Sequence, residues 1–321
     1  MIMKTLFLKS LSHYWLVFLL AGAIPVLDVA AESPSVKPSD SELVRIEHFD
    51  VNPGGELYVR TSGGSVKVEG GNGNRVTVEM RARSSRWSEE RMREELEKNY
   101  TITIRKAGNR VEAIAERNSS WTSGWGMSVS FTVKVPSNFN CEMNTSGGSL
   151  SLTGVAGNTH RMKTSGGSIN IVDVRGESAA NTSGGSISAS NHAGNLKAST
   201  SGGSIKVIGA EGNLDLSTSG GSIKIEQASG AVKANTSGGS ITADILKLGN
   251  ELRLSTSGGS VTASIPSGTG LDLDLRGTRV NVELTNFSGQ AERDRVVGSM
   301  NGGGVAVRMS TSGGSVNLKT R

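Results

Sequence analysis

Few side chains of this 321-residue chain combine the type and the spacing that chemistry demands. The four histidines, His13, His48, His160 and His192, are far apart, and none sits at a metal-ligand interval from another His or from a Cys. Cys141 is the single cysteine, which excludes an internal disulfide. In "NFNCEMN" it alternates with Phe139 and Met143, as a small hydrophobe on a core-facing strand does. A nucleophilic thiol needs a histidine and an electropositive setting, which its neighbours do not supply. Asp272 and Asp274 in "LDLDLRG" are two apart, hence on one face of a strand, and are the nearest approach to the carboxylate pair of a glycan-cleaving enzyme. Asp215, Lys206, Lys224, Glu226 and Lys233 are outward candidates for a charged patch, but Ser, Thr or Asn fill the equivalent positions nearby. The expectation is no catalytic, cofactor-binding or metal-binding residue. The strongest claim to a ligand belongs to Trp121 and Trp125 in "NSSWTSGWGMS", where paired aromatic rings among Ser and Gly could stack on a sugar.

The remaining candidate is the pentapeptide "TSGGS", which occurs nine times, starting at Thr61, Thr145, Thr164, Thr182, Thr200, Thr218, Thr236, Thr256 and Thr311. It lacks the Lys-Ser/Thr and the helix that follow a phosphate-binding loop. From Thr145 to Thr256 the steps are 19, 18, 18, 18, 18 and 20 residues, and a fixed period of this length marks repeat architecture. Each copy is flanked by short period-two alternations: Leu214 and Leu216 before the corner at Thr218, Ile223 and Ile225 after it. These are half-buried strands too short for helix. A second turn recurs at Gly157-Asn158, Gly194-Asn195, Gly212-Asn213 and Gly249-Asn250, where glycine supplies positive φ.

One repeat offers about four buried apolar side chains at roughly 1.5–3 kcal/mol each, against an ordering cost of about 1–2 kcal/mol for each residue. A single repeat therefore does not fold alone, and stacking at about 4.8 Å lets neighbours satisfy one another's backbone. The predicted fold is all-β: a β-solenoid, or single-stranded β-helix, with coils of the 18–20 residues that the spacing implies. Each corner threonine is in phase with the inward residues and is expected to face the core, its hydroxyl bonding a neighbouring threonine or the adjacent backbone. Asn144, Asn181 and Asn235 precede that threonine and predict a partial Asn/Ser ladder. Flat outward rows such as Ser199/Ser201, Ser217/Ser219 and Ser255/Ser257 raise a third reading, an array for ice or crystalline polysaccharide.

Outside the repeat, "SSRWSEERMREELEKNY" switches to helical spacing, with Met92, Leu96 and Tyr100 four apart and Glu89–Arg93 and Glu94–Lys98 as possible ion pairs. This predicts one amphipathic helix near the N-terminal end, packed on a sheet, covering the open end of the solenoid, or binding a partner. "TITIRKAGNRVEAIAER" predicts a hairpin about Gly108-Asn109. The closing "GSMNGGGVAVRMSTSGGSVNLKTR" has two corners close together and reads as a hairpin.

The first residues carry Lys4 and Lys9, an apolar run from Tyr14 to Leu27 and small Val29 and Ala31, the pattern of a secretory signal peptide over residues 1–31. The expected organisation is that leader, a linker over 32–42, an N-terminal β region with the helix over 43–144, and the repeat solenoid over 145–321. The run is too short for a membrane span, so no integral span is expected in the mature chain. A formal charge of +5, with no basic tract interleaved with aromatics, excludes nucleic acid as an expected partner.

From about Phe49 onward, the segments "FDVNPGGELYVRTSGGSVKVEG", "VTVEMRAR" with its following helix, "FTVKVPSNFNCEMNTSGGSLSL" and "GSMNGGGVAVRMSTSGGSVNL" resemble the bacterial β-strand-repeat adhesin-like family of unknown function, related to head-domain autotransporter adhesins. The resemblance implies an envelope β-solenoid with no established catalytic residues. The expected function is an exported, non-enzymatic scaffold or interaction surface, periplasmic or at the cell surface, whose partner is an envelope protein or a glycan. The rival expectation is a carbohydrate-active β-helix enzyme.

Overall fold

The computed structural model describes residues 41–118 and 126–321. The signal-peptide reading, most of the linker, and Trp121 and Trp125 lie outside the described residues. Within them the fold is all-β and solenoid-like, with one helix, Glu89–Asn99. No helix among the described residues is long and apolar enough to cross a membrane.

The strands before the TSGGS corners stack as one parallel sheet, here the leading sheet, and those after the corners as a second, the trailing sheet. In the trailing sheet Ile169 pairs with Ile187, Ile187 with Ile205, Ile205 with Ile223 and Ile223 with Ile241, each step 18 residues. In the leading sheet Ser178 pairs with Leu196, Leu196 with Leu214 and Leu214 with Val232 at the same step. Alternation puts every second side chain inside, so Leu196, Leu214, Ile205 and Ile223 form buried columns between the sheets.

Each trailing strand bends near its end and then turns. Asp173, Asn191, Gly209 and Gln227 recur 18 residues apart with φ of 54°, 53°, 64° and 57°, a left-handed kink. Gly176, Gly194, Gly212 and Gly230 then reverse the chain at φ of 113° to 136°. Gly157 and Gly249 do not share this conformation; there the missing Cβ makes room, with Phe139 O 2.2 Å and Ala231 N 2.4 Å from where it would stand.

Both ends depart from chain order. The C-terminal strand Val305–Thr311 lies parallel between Ile241–Thr256 and Leu271–Arg276, and Ser315–Thr320 lies parallel between Val261–Ile265 and Arg279–Val282. The closing segment is therefore not a hairpin: its two strands belong to opposite sheets and complete a repeat that sits ahead of the Leu271–Val282 one in space. The antiparallel strands Phe287–Ala291 and Arg295–Met300 make the return. At the other end Arg110–Arg117 stacks on Glu56–Thr61 and pairs antiparallel with Tyr100–Ala107 about Gly108-Asn109, while Ser41–Asp50 pairs antiparallel with Arg75–Ser84.

The helix begins at Ser88, whose hydroxyl accepts from the Arg91 N–H, and touches the Tyr100–Ala107 and Ser41–Asp50 strands. Met92 is fully buried and Leu96 and Tyr100 are packed against the core. Glu89 pairs with Arg93 at 3.8 Å, but Glu94 pairs with Arg91 at 3.4 Å rather than with Lys98. Glu95, also buried, pairs with Arg117 of the neighbouring strand at 3.5 Å.

Candidate functional site

The TSGGS corner packs its threonine inward in each described copy. Thr61, Thr145, Thr164, Thr182, Thr200, Thr218, Thr236, Thr256 and Thr311 are all buried. Their hydroxyls do not bond one another. Thr218 Oγ1 donates to the Gly203 carbonyl of the adjacent repeat at 2.7 Å and accepts from its own Gly221 N–H at 3.3 Å; Thr164, Thr182, Thr200 and Thr236 repeat both bonds, and Thr256 repeats the donation, to the Gly239 carbonyl. The last serine of the corner carries a second ladder, in which Ser204 Oγ accepts from the Ser222 N–H at 3.2 Å. The residue before the threonine forms no continuous ladder: Ser255 bonds Ser310 at 3.0 Å, while Asn144 turns to Glu142 of its own strand.

The second glycine of each corner is required by space rather than by φ. A Cβ at Gly203 would stand 2.1 Å from the Gly185 carbonyl oxygen, and one at Gly221 2.1 Å from that of Gly203. The middle serines, such as Ser201 and Ser219, remain exposed.

The other sequence candidates disperse. Asp272 accepts from the Ser299 hydroxyl at 2.8 Å and the Gly304 N–H at 3.2 Å, so it holds the Asn301–Gly304 turn. Asp274 is bound by Arg276 at 2.8 Å. Asp215 and Lys233 lie on the leading sheet, and Lys206, Lys224 and Glu226 on the trailing one. Cys141 is buried beneath Phe139 and its thiol is pushed well up by burial. Among the described residues no cluster of three His, Cys, Asp or Glu side chains could hold a metal.

Stacking does assemble one polar cluster that sequence separation concealed. His160 faces Cys141 on one side and Ser178 on the other along a single inward column. His160 Nε2 donates to the Arg175 carbonyl at 3.0 Å, and His192 Nε2 meets the Ser178 hydroxyl at 2.9 Å. Both rings are 1% exposed and both Nδ1 atoms lack a partner. Burial lowers both pKa values below the ordinary histidine value. A Ser–His contact shut off from solvent offers no nucleophile to a substrate.

What the outer surface does offer is a groove of about 520 Å³ on the leading sheet. Its floor is the backbone of Leu196, Leu214 and Val232, whose side chains point inward. One flank is the row Arg161, Ala179, Lys197, Asp215 and Lys233, one residue per strand in direct register. The other is the row Thr159, Glu177, Asn195, Asn213 and Ala231 beside the glycine turn. Asn195 Oδ1 accepts from the Asn213 N–H at 3.1 Å and Asn213 Oδ1 from the Ala231 N–H at 3.3 Å, which fixes both carboxamides at the rim. Six strands from Thr159 to Glu251 contribute, about 24 Å at about 4.8 Å per strand. The signal for the groove was available as every eighteenth outward residue, although the letters there do not repeat.

Comparison with solved structures finds a candidate cell adhesion protein from Clostridium sporogenes, 14% identical, covering 87% of this chain and all of that one, with a TM-score of 0.22. A candidate adhesin from Bacteroides fragilis is 12% identical, covering 87% and 97% of the two chains, with a TM-score of 0.42. A candidate lipid binding protein from Parabacteroides distasonis is 14% identical, covering 86% and 96%, with a TM-score of 0.42. No curated protein matches the chain. Residues 56–319, from the first strand before the Thr61 corner to the last strand of the displaced repeat, match Toastrack DUF4097, and the chain belongs to that family.

Proposed function

We propose that this protein is an exported, non-enzymatic interaction scaffold of the bacterial envelope, and that the leading-sheet groove is its ligand surface. The observation that carries the reading is the groove itself. It spans six strands, its polar groups are distributed along its length, and it does not converge on one reacting point. An enzyme of the glycan-cleaving class needs a focused pair of carboxylates, and Asp272 and Asp274 are held by neighbouring groups away from the groove.

The architecture behind the surface is a single-stranded β-helix whose coils are the 18–20-residue repeats, with Glu89–Asn99 covering its N-terminal end. Its organisation is a leader over 1–31, a linker over 32–42, a capping β region over 43–144 and the solenoid over 145–321. Removal of the leader delivers the protein to the periplasm or the cell surface, where the partner is a glycan or an envelope protein. Trp121 and Trp125 form a second contact point for that partner.

The test is a pull-down with insoluble polysaccharides and a glycan array, comparing the parent with a Lys197→Glu/Lys233→Glu variant and with a Trp121→Ala/Trp125→Ala variant. Binding lost in the lysine variant supports the groove. Binding lost only in the tryptophan variant moves the site to that segment, and shortening of a polysaccharide during incubation overturns the non-enzymatic reading.

A further inference from the structure

The row along one flank of the groove has a period of its own. Within the groove Arg161, Lys197 and Lys233 occupy alternate strands, with Ala179 and Asp215 between them; beyond it the alternation ends, with Arg253 directly beside Lys233. At about 4.8 Å per strand the cations repeat every 9.6 Å or about that, over a backbone held in register by the corner ladders. Among the described residues neither Arg161 nor Lys233 enters an ion pair, and Lys197 reaches Asp215 only at 3.9 Å with both groups well exposed, a contact of little energetic weight. The cations are therefore available to a ligand.

Resting on the groove reading above, we propose that the ligand is an acidic polysaccharide with one carboxylate per disaccharide, laid along the stacking direction. In an extended β-linked chain alternate rings present their substituents on the same side, at a repeat close to two strand spacings. Each carboxylate then meets one of Arg161, Lys197 and Lys233, and each intervening uncharged ring lies over Ala179 or Asp215. Ala179 leaves room for a ring, and Asp215 accepts from sugar hydroxyls while repelling a carboxylate at that position. On the opposite flank Asn195 and Asn213 spend their Oδ1 atoms on backbone N–H groups, so their NH2 groups point the remaining donors at hydroxyls. The arrangement selects by charge period: a neutral chain forgoes the cations, and a polyanion whose carboxylates on one side lie closer together than two strand spacings meets Asp215.

The experiment measures binding of the purified protein to hyaluronan, which carries one carboxylate per disaccharide, to polygalacturonate, which carries one per ring, to a neutral chitin oligomer, and to polyglutamate. Hyaluronan is expected to bind best and to weaken as salt is raised. Lys197→Gln and Lys233→Gln are each expected to weaken it about tenfold, the size of a charge-assisted hydrogen bond. Lys206→Gln on the trailing sheet leaves binding unchanged, and Asp215→Asn raises affinity for polyglutamate. Unfolding midpoints of these exposed variants stay at the parent value, so lost binding is not lost folding. Equal binding of hyaluronan and polyglutamate overturns the period argument. Chitin binding that the lysine variants retain overturns the acidic ligand while leaving a groove, and no binding to any of the four overturns both this proposal and the glycan form of the groove reading.

Discussion

Thr218 and Gly203 are joined by a hydroxyl-to-carbonyl hydrogen bond of 2.7 Å that crosses from one repeat to the next inside the corner. Thr218→Val keeps the shape and deletes the donor, leaving the half-buried Gly203 carbonyl and Gly221 N–H without this partner. A loss of about 1–3 kcal/mol is expected, the cost of stranding a buried polar group. Thr218→Ser, which keeps the hydroxyl, should lose less. Urea unfolding of the three proteins decides; a valine variant as stable as the parent would remove the ladder from the account of stability.

The two glycines of a corner should respond differently to a methyl group. Gly203→Ala drives a Cβ to 2.1 Å from a backbone oxygen, whereas at Gly202 the nearest atom is 3.4 Å away. Overpacking against backbone costs about 1–3 kcal/mol or more, so Gly203→Ala should lower the melting temperature clearly and Gly202→Ala only slightly. Equal effects would contradict the spatial explanation of the motif.

Acid should destabilise the fold through His160 and His192. Both have folded pKa values below the ordinary one because burial disfavours the charged ring. In the unfolded chain they titrate near about 6.5, so below that pH the unfolded state binds more protons and stability falls until the buried rings themselves protonate. The urea midpoint is expected to be flat between about pH 7.5 and 8, to decline as pH drops through about 6.5, and to decline again above about pH 8.5, where the unfolded Cys141 thiol ionises and the buried one stays neutral. His160→Leu should shallow the acid decline, and an identical pH profile in the variant would assign it to other groups.

Cys141 should be silent in the native protein. Its thiol is buried and held in the neutral form by burial, and the thiolate is the reactive species. Alkylation followed by mass measurement should show no adduct until denaturant opens the core. Rapid native labelling would place the side chain at the surface.

The strongest sequence signals came from residues whose physical role is repeated. Thr218 and Gly221 recur as letters because every repeat needs the same hydroxyl and the same absent Cβ. The helix was legible because Met92 and Leu96 share a face, and the hairpin because Gly108 takes the φ of 61° its turn requires. The kink at Asp173, Asn191, Gly209 and Gln227 was not, because left-handed backbone is open to several residue types and leaves no common letter. Neither was the His160, Ser178 and His192 cluster, since their contact depends on which strands stack. Alternation at Val305–Thr311 announced a strand but not its neighbours, so the displaced repeat looked like a hairpin. The groove stayed hidden for the opposite reason to the corner: its outward residues are free to vary, and variation is what gives a surface specificity.

The seating of Val305–Thr311 between two strands that precede it in the chain bears on how the molecule is made. Repeats from Thr164 to Thr236 can dock one after another as they are synthesised, each on a finished template. The Leu271–Val282 repeat cannot, because the layer on which it rests is made from residues translated later. That end stays unsealed until Val305–Thr311 and Ser315–Thr320 arrive. Each middle repeat accordingly rests on a neighbour already made, whereas the C-terminal closure needs both of the last strands at once.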